Sequence, residues 1–147
     1  MSVAATEICA RESASVASIR MSTFPHVRRE RVRFRDCDAM GHVNNAVYST
    51  FLEEARIDVL GGLTAFILAR VEIDFRSELR AGEEIEVRTR CSRLGTKSLE
   101  LEHEIHANGR LAAEAKSVLV GYDYERGQSI PLSDEVRARL SATRASA

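Results

Sequence analysis

The chain has 147 residues, enough for one domain with a substantial core, and its 44% hydrophobic and 29% charged content is ordinary for a globular protein. A formal net charge of -1 argues against a general nucleic-acid binder, and no apolar run approaches membrane-spanning length. Cys9, Cys37 and Cys91 are an odd set without CxxC spacing, which favours a reduced cytoplasmic protein over a disulfide framework or a zinc site.

Residues 1–24 are rich in Ala, Ser and Val and lack both a sustained period and a signal-peptide pattern. They read as a disordered tail, with Met21 as an alternative start, ahead of a single domain over 25–147. Val27 to Phe34 reads as a strand, with Val32 and Phe34 opposite Arg31 and Arg33. A polar run follows that holds Asp36, Asp38, His42, Asn44 and Asn45. Behind it, Val47, Phe51, Ala55 and Val59 recur every fourth residue with Tyr48 and Leu52 beside them, the spacing of one apolar helix face. Glu53, Glu54, Arg56 and Asp58 fall mostly on the other side. Asn44 or Asn45 can cap the first turn, and Gly61-Gly62 stops the helix.

The remainder alternates. Val71, Ile73 and Phe75 face away from Arg70, Glu72, Asp74 and Arg76, the pattern of a half-buried strand. Ile85, Val87, Thr89 and Cys91 mark a second strand, and Leu99, Leu101, His103 and Ile105 a third. Asn108-Gly109 is a hairpin turn, because both positions accept positive φ. A long strand runs from Leu111 to about Tyr122, and Ser133 caps a short helix over Asp134 to Leu140. A lone amphipathic helix among such strands buries its stripe on the concave face of an antiparallel sheet, an α+β architecture.

The polar run carries the densest chemistry. Asp38 can act as a general base or a nucleophile, and the N–H groups at the following helix start suit developing negative charge. Read without any resemblance, Asp38 is better taken as a turn or capping residue and Asn44 as a cap. Asp36, Cys37, Asp38 and His42 lack paired histidines or a known ligand spacing for a metal. No phosphate-binding glycine loop and no serine nucleophile elbow is present.

The run RDCDAMGHVNNAVYSTFLEEAR resembles the signature of the hotdog-fold acyl-CoA thioesterases, the branch similar to 4-hydroxybenzoyl-CoA thioesterase. The likeness continues through VEIDFRSELRAGEEIEV, RLGTKSLELEHEI and LAAEAKSVLVGYD. It implies a long central helix wrapped by an antiparallel sheet, pairing of chains into homodimers or homotetramers, and sites at the dimer interface. It implies Asp38 as the catalytic carboxylate and the Asn45 main-chain N–H as the group that polarises the thioester carbonyl; His42 either hydrogen-bonds the thioester or steers a water, or it braces the loop. Asp36 then pairs with Arg33 or Arg35, and Glu53 and Glu54 are structural, one of them a partner for Arg56. Coenzyme A, entering as part of the substrate with no other cofactor and no metal, would be held by Arg90, Arg93, Gly95, Thr96, Lys97 and Ser98, with Arg76 and Arg80 as weaker alternatives. The resemblance leaves open an acyl-carrier-protein thioesterase and a non-catalytic acyl-CoA-binding protein.

Overall fold

A computed structural model of the chain describes residues 24–141. The expected tail and the alternative start at Met21 lie outside them. Phe24, which the sequence assigns to the tail, is buried, with the Arg90 guanidinium 4.6 Å above its ring.

The elements run β1 (His26–Arg31), a 3-10 turn (Phe34–Asp36), α1 (Asn45–Leu60), β2 (Phe66–Phe75), β3 (Glu84–Leu94), β4 (Ser98–Ala107), β5 (Arg110–Asp123), β6 (Gln128–Ser129) and α2 (Asp134–Ser141). The strands form one antiparallel sheet in the order β1-β3-β4-β5-β2, with the short β6 on β5. The sheet wraps α1, as the resemblance implies. The hairpin at Asn108-Gly109 closes β4 onto β5 with φ of 50° and 75°, the left-handed pair of a tight turn.

The ends of α1 are chemically set. The Asn44 side chain accepts from the Ala46 N–H at 2.9 Å. Gly61 closes the helix at φ 76° and returns its N–H to the Ile57 carbonyl. Tyr48, Phe51, Leu52, Ala55, Val59 and Leu60 are buried between helix and sheet. They meet the inward residues of β3 and β4, where Ile85, Val87, Cys91, Leu99, Leu101 and Ile105 are buried as their alternation predicts.

Arg56 departs from the sequence expectation. It is 3% exposed and lies on the buried arc of α1, one turn beyond Leu52. The apolar stripe is wide enough that position 56 falls inside it whatever residue stands there. One guanidinium N–H of Arg56 donates to Ser117 Oγ at 3.3 Å. His103 bridges Ser117 at 3.1 Å and Thr89 at 2.9 Å. These four side chains form a polar seam between two apolar clusters. One cluster holds Tyr48, Phe51, Leu79 and Ile105, and the other holds Val59, Phe66, Leu101 and Leu140. Burial, together with Arg56 and His26, pushes the His103 imidazole down to about 3. Glu53 makes no ion pair with Arg56 but is the carboxylate whose charge acts on it, while Glu54 joins Asp58 on Arg28 of β1, at 3.3 and 2.7 Å.

Two further expectations are corrected. β1 ends at Arg31 rather than Phe34, because Asp36 Oδ2 accepts the Arg33 N–H at 2.8 Å and winds the chain into the 3-10 turn. Phe34 is therefore 89% exposed. β2 alternates as predicted, yet Val71 and Phe75 are exposed and Ile73 is half-buried. β2 is an edge strand, and α1 packs toward β3 and β1 at the other side of the sheet.

Candidate functional site

Between the 3-10 turn and α1 the chain makes a small closed loop. Cys37 and Val43 pair across its base. The Asp38 N–H donates to the His42 carbonyl at 3.0 Å, and the Gly41 N–H returns to the Asp38 carbonyl at 3.0 Å. Gly41 supplies the positive φ of 86° this reversal needs. The loop is then tied to its surroundings from Val43 N–H to the Leu79 carbonyl at 2.8 Å, and from Asn44 N–H to the Asp36 carbonyl at 2.9 Å. Its main-chain groups are thus committed to fixed partners.

This scaffold places Asp38 and the start of α1 at the two ends of one pinned loop. Asp38 Oδ1 accepts the Met40 N–H at 2.9 Å, which fixes the carboxylate in an Asx turn. Its Oδ2 takes no hydrogen bond among the described residues. His42 Nδ1 stands 4.0 Å from Asp38 Oδ1, too far for a direct hydrogen bond and near enough to share a bridging water. Asn45 is the first residue of α1 and exposed. Its N–H belongs to the first turn, where no intrahelical acceptor exists, at the positive end of the helix dipole.

A cleft of about 250 Å³ opens at this end of the helix, lined by His42, Asn45, Tyr48, Phe75, Arg76, Ser77 and Glu78. Tyr48 is buried, and the Phe75 ring meets it edge-on with centroids 4.9 Å apart. Burial holds the Tyr48 phenol above its ordinary range, so it stays neutral, and its hydrogen bond goes to the Leu79 main chain. The neighbouring Arg80 guanidinium keeps the Glu78 carboxyl below the usual range. Phe75, Ser77 and Glu78 were not candidates from sequence, and Arg76 was a weak one. The signal available was topological: β2 ends where α1 begins, so the residues after Asp74 face the helix N-terminus.

The other predicted residues take plainer places. Asp36 caps the 3-10 turn through the Arg33 main chain, in place of an ion pair with Arg33 or Arg35. Asn44 is the cap of α1. Cys37 packs against the core. Arg93, Gly95, Thr96, Lys97 and Ser98 lie at the β3–β4 turn, and the structure does not bring them to Asp38 within one chain. β3 begins beside the Asp38 loop, through Val32 N–H to the Glu83 carbonyl, and its eleven residues carry the chain roughly 35 Å away. Gly95 and Thr96 give their carbonyls to Arg137 at 2.8 and 3.0 Å, and Lys97 donates to Ser129 at 3.4 Å. Arg90 pairs with Glu102 on the outer face of the sheet. Among the described residues no group of three or more His, Cys, Asp or Glu is placed to hold a metal ion, and no helix is long and apolar enough to cross a membrane.

A family model described as the thioesterase-like superfamily matches residues 32–140. The long-chain acyl-CoA thioesterase FadM of Escherichia coli is 29% identical over 122 residues, covering 75% of this chain and 92% of that protein. A thioesterase from Thermus thermophilus, solved with coenzyme A and Zn, superposes with a TM-score of 0.74 at 38% identity, over 82% of this chain and 95% of that one. A predicted thioesterase from Bacillus stearothermophilus gives 0.77 at 25% identity, over 82% and 97%. The two solved structures share the fold of this chain.

Proposed function

The chain belongs to the thioesterase-like superfamily, and from that premise we propose that it hydrolyses acyl-CoA thioesters to free coenzyme A and a carboxylic acid. The observation that carries the reading is the pinned loop that ends in Asp38 on one side and the free N–H of Asn45 on the other. Asp38 takes a proton from water, and the resulting hydroxide adds to the thioester carbonyl. The oxyanion forms against the Asn45 N–H, a preorganised donor in a partly enclosed cleft. Collapse breaks the C–S bond, and the thiolate leaves with the proton that Asp38 acquired. His42 orients the attacking water, and Tyr48 and Phe75 wall the acyl carbon. The coenzyme A bound to the Thermus relative and the acyl-CoA activity of FadM support the choice of thiol carrier.

Assembly with a second copy completes this reading. β2 presents an unpaired edge with Ile67, Leu68, Val71 and Phe75 exposed along it. A second copy laid against it covers that surface and closes the open side of the cleft at Phe75.

The test is free-thiol release from a panel of acyl-CoAs by the wild type and by Asp38→Asn, which keeps the shape and removes the base. A loss of roughly a hundredfold or more in a folded variant is expected. Equal and negligible turnover by both proteins across the panel would reject the assignment.

A further inference from the structure

The stretch from Arg31 to Arg35 is unlike the rest of the surface. On the sheet, Arg29, Arg70, Arg76, Arg88 and Arg90 each pair with a carboxylate. Arg31, Arg33 and Arg35 are exposed and do not. Arg31 donates to the Gly82 carbonyl at 3.3 Å, while the side chains of Arg33 and Arg35 carry neither ion pair nor hydrogen bond among the described residues. Three like charges within five residues repel one another, and the nearby Asp36 carboxylate is taken by the Arg33 main chain and forms no ion pair with them. Between Arg33 and Arg35 stands Phe34, 89% exposed, and Met40 of the adjoining loop is 75% exposed.

This stretch is held in register with the catalytic loop. Asp36 ties Arg33 through its carboxylate and Asn44 through its carbonyl, so the turn and the Asp38 loop move as one piece. Arg33 precedes Asp38 by five residues, and the 3-10 turn between them folds the chain back, so their backbones lie well inside the roughly 17 Å of an extended five-residue span. The Arg33 and Arg35 side chains extend from this turn into solvent beside the loop. The cationic residues of the β3–β4 turn lie at the far end of the sheet, and Thr96, Lys97 and Gly95 already serve α2 and β6.

We propose that Arg33 and Arg35, flanked by Arg31, receive the phosphate-bearing nucleotide end of coenzyme A, with Phe34 stacked beneath the adenine. The proposal rests on the acyl-CoA reading above. Guanidinium forks match phosphate oxygens in charge and geometry, and an exposed aromatic ring offers a stacking face to a purine. The thiol carrier is then recognised by the same short segment that positions the base.

The experiment compares wild type with the double variant R33Q/R35Q and with F34A on two substrates. One is an acyl-CoA, and the other is the same acyl group on N-acetylcysteamine, which lacks the nucleotide. The ratio of kcat/KM for the CoA ester to that for the cysteamine ester should fall by about 10- to 100-fold in the double variant and about tenfold in F34A. Calorimetric titration with adenosine 3′,5′-bisphosphate should show binding to wild type and at least roughly tenfold weaker binding to R33Q/R35Q. An unchanged ratio with unchanged bisphosphate binding overturns the proposal. So does an equal loss on both substrates accompanied by a change of oligomeric state in light scattering, which would make the turn a contact between copies. If wild type hydrolyses neither ester, the thioesterase reading fails on its own, and the bisphosphate titration still decides whether the arginines bind a nucleotide.

Discussion

Replacing Asn45 with proline separates the main chain of the helix start from its side chain. The Asn45 N–H has no intrahelical acceptor, so proline deletes a donor the fold does not use. Asn44 sits at φ -60° and ψ 135°, the extended region that a residue before proline prefers, and its side-chain cap to Ala46 is untouched. The structural cost should be small, under about 1 kcal/mol in urea unfolding, because proline is favoured at the first helical position. The catalytic cost should be large. A lost oxyanion donor costs about 2.7 to 4 kcal/mol, a fall of roughly 10² to 10³ in kcat. Asn45→Ala keeps the N–H and should stay within about tenfold of wild type. The assay is steady-state thiol release at saturating acyl-CoA, with far-UV circular dichroism as the control for helix content. A folded Asn45→Pro variant that loses less than about fivefold would refute the oxyanion role.

Acid should destabilise the fold through His103. Its folded value of about 3 lies below the ordinary 6.5, so its contribution is fully present above about pH 6.5 and is lost as pH falls toward 3. Between about pH 7.5 and pH 5 wild type should lose about 2 kcal/mol more than His103→Gln in urea unfolding, and parallel losses in the two proteins would contradict a buried neutral imidazole. Gly121→Ala should cost about 1 to 3 kcal/mol, because a Cβ there would stand 2.5 Å from the Ile130 carbonyl oxygen, and a thermal melt unchanged from wild type would count against that close approach.

Much of this architecture could be read from residue order. Strands β3 to β5 announce themselves because each has one face on the core and one in water, so composition alternates with the pleat. Both caps of α1 follow from local chemistry at Asn44 and Gly61. Periodicity is blind to what covers a face, however. Val71 and Phe75 alternate as well as Val87 and Cys91 do, yet they stand on an edge strand with little over them. Arg56 misleads for the opposite reason: its charge suggests solvent, while its angular position on the helix dictates burial. Within the site, the Asp38 loop was legible because all its parts are contiguous. The opposite wall, Phe75 to Glu78, comes from a strand end some thirty residues on, and only the fold brings it there.

The polar seam of Arg56, Thr89, His103 and Ser117 has a bearing on how this molecule can change over generations. It divides the interior into a half that backs the Asp38 loop and a half that backs Leu60, Phe66 and α2. Substitutions that enlarge or shrink side chains in the second half meet hydroxyls and an imidazole before they meet Tyr48 or Phe51. Drift in the distal half is thereby insulated from the residues that set Asp38 against the start of α1. A lineage can reshape one end of the core while the end behind the Asp38 loop keeps its geometry.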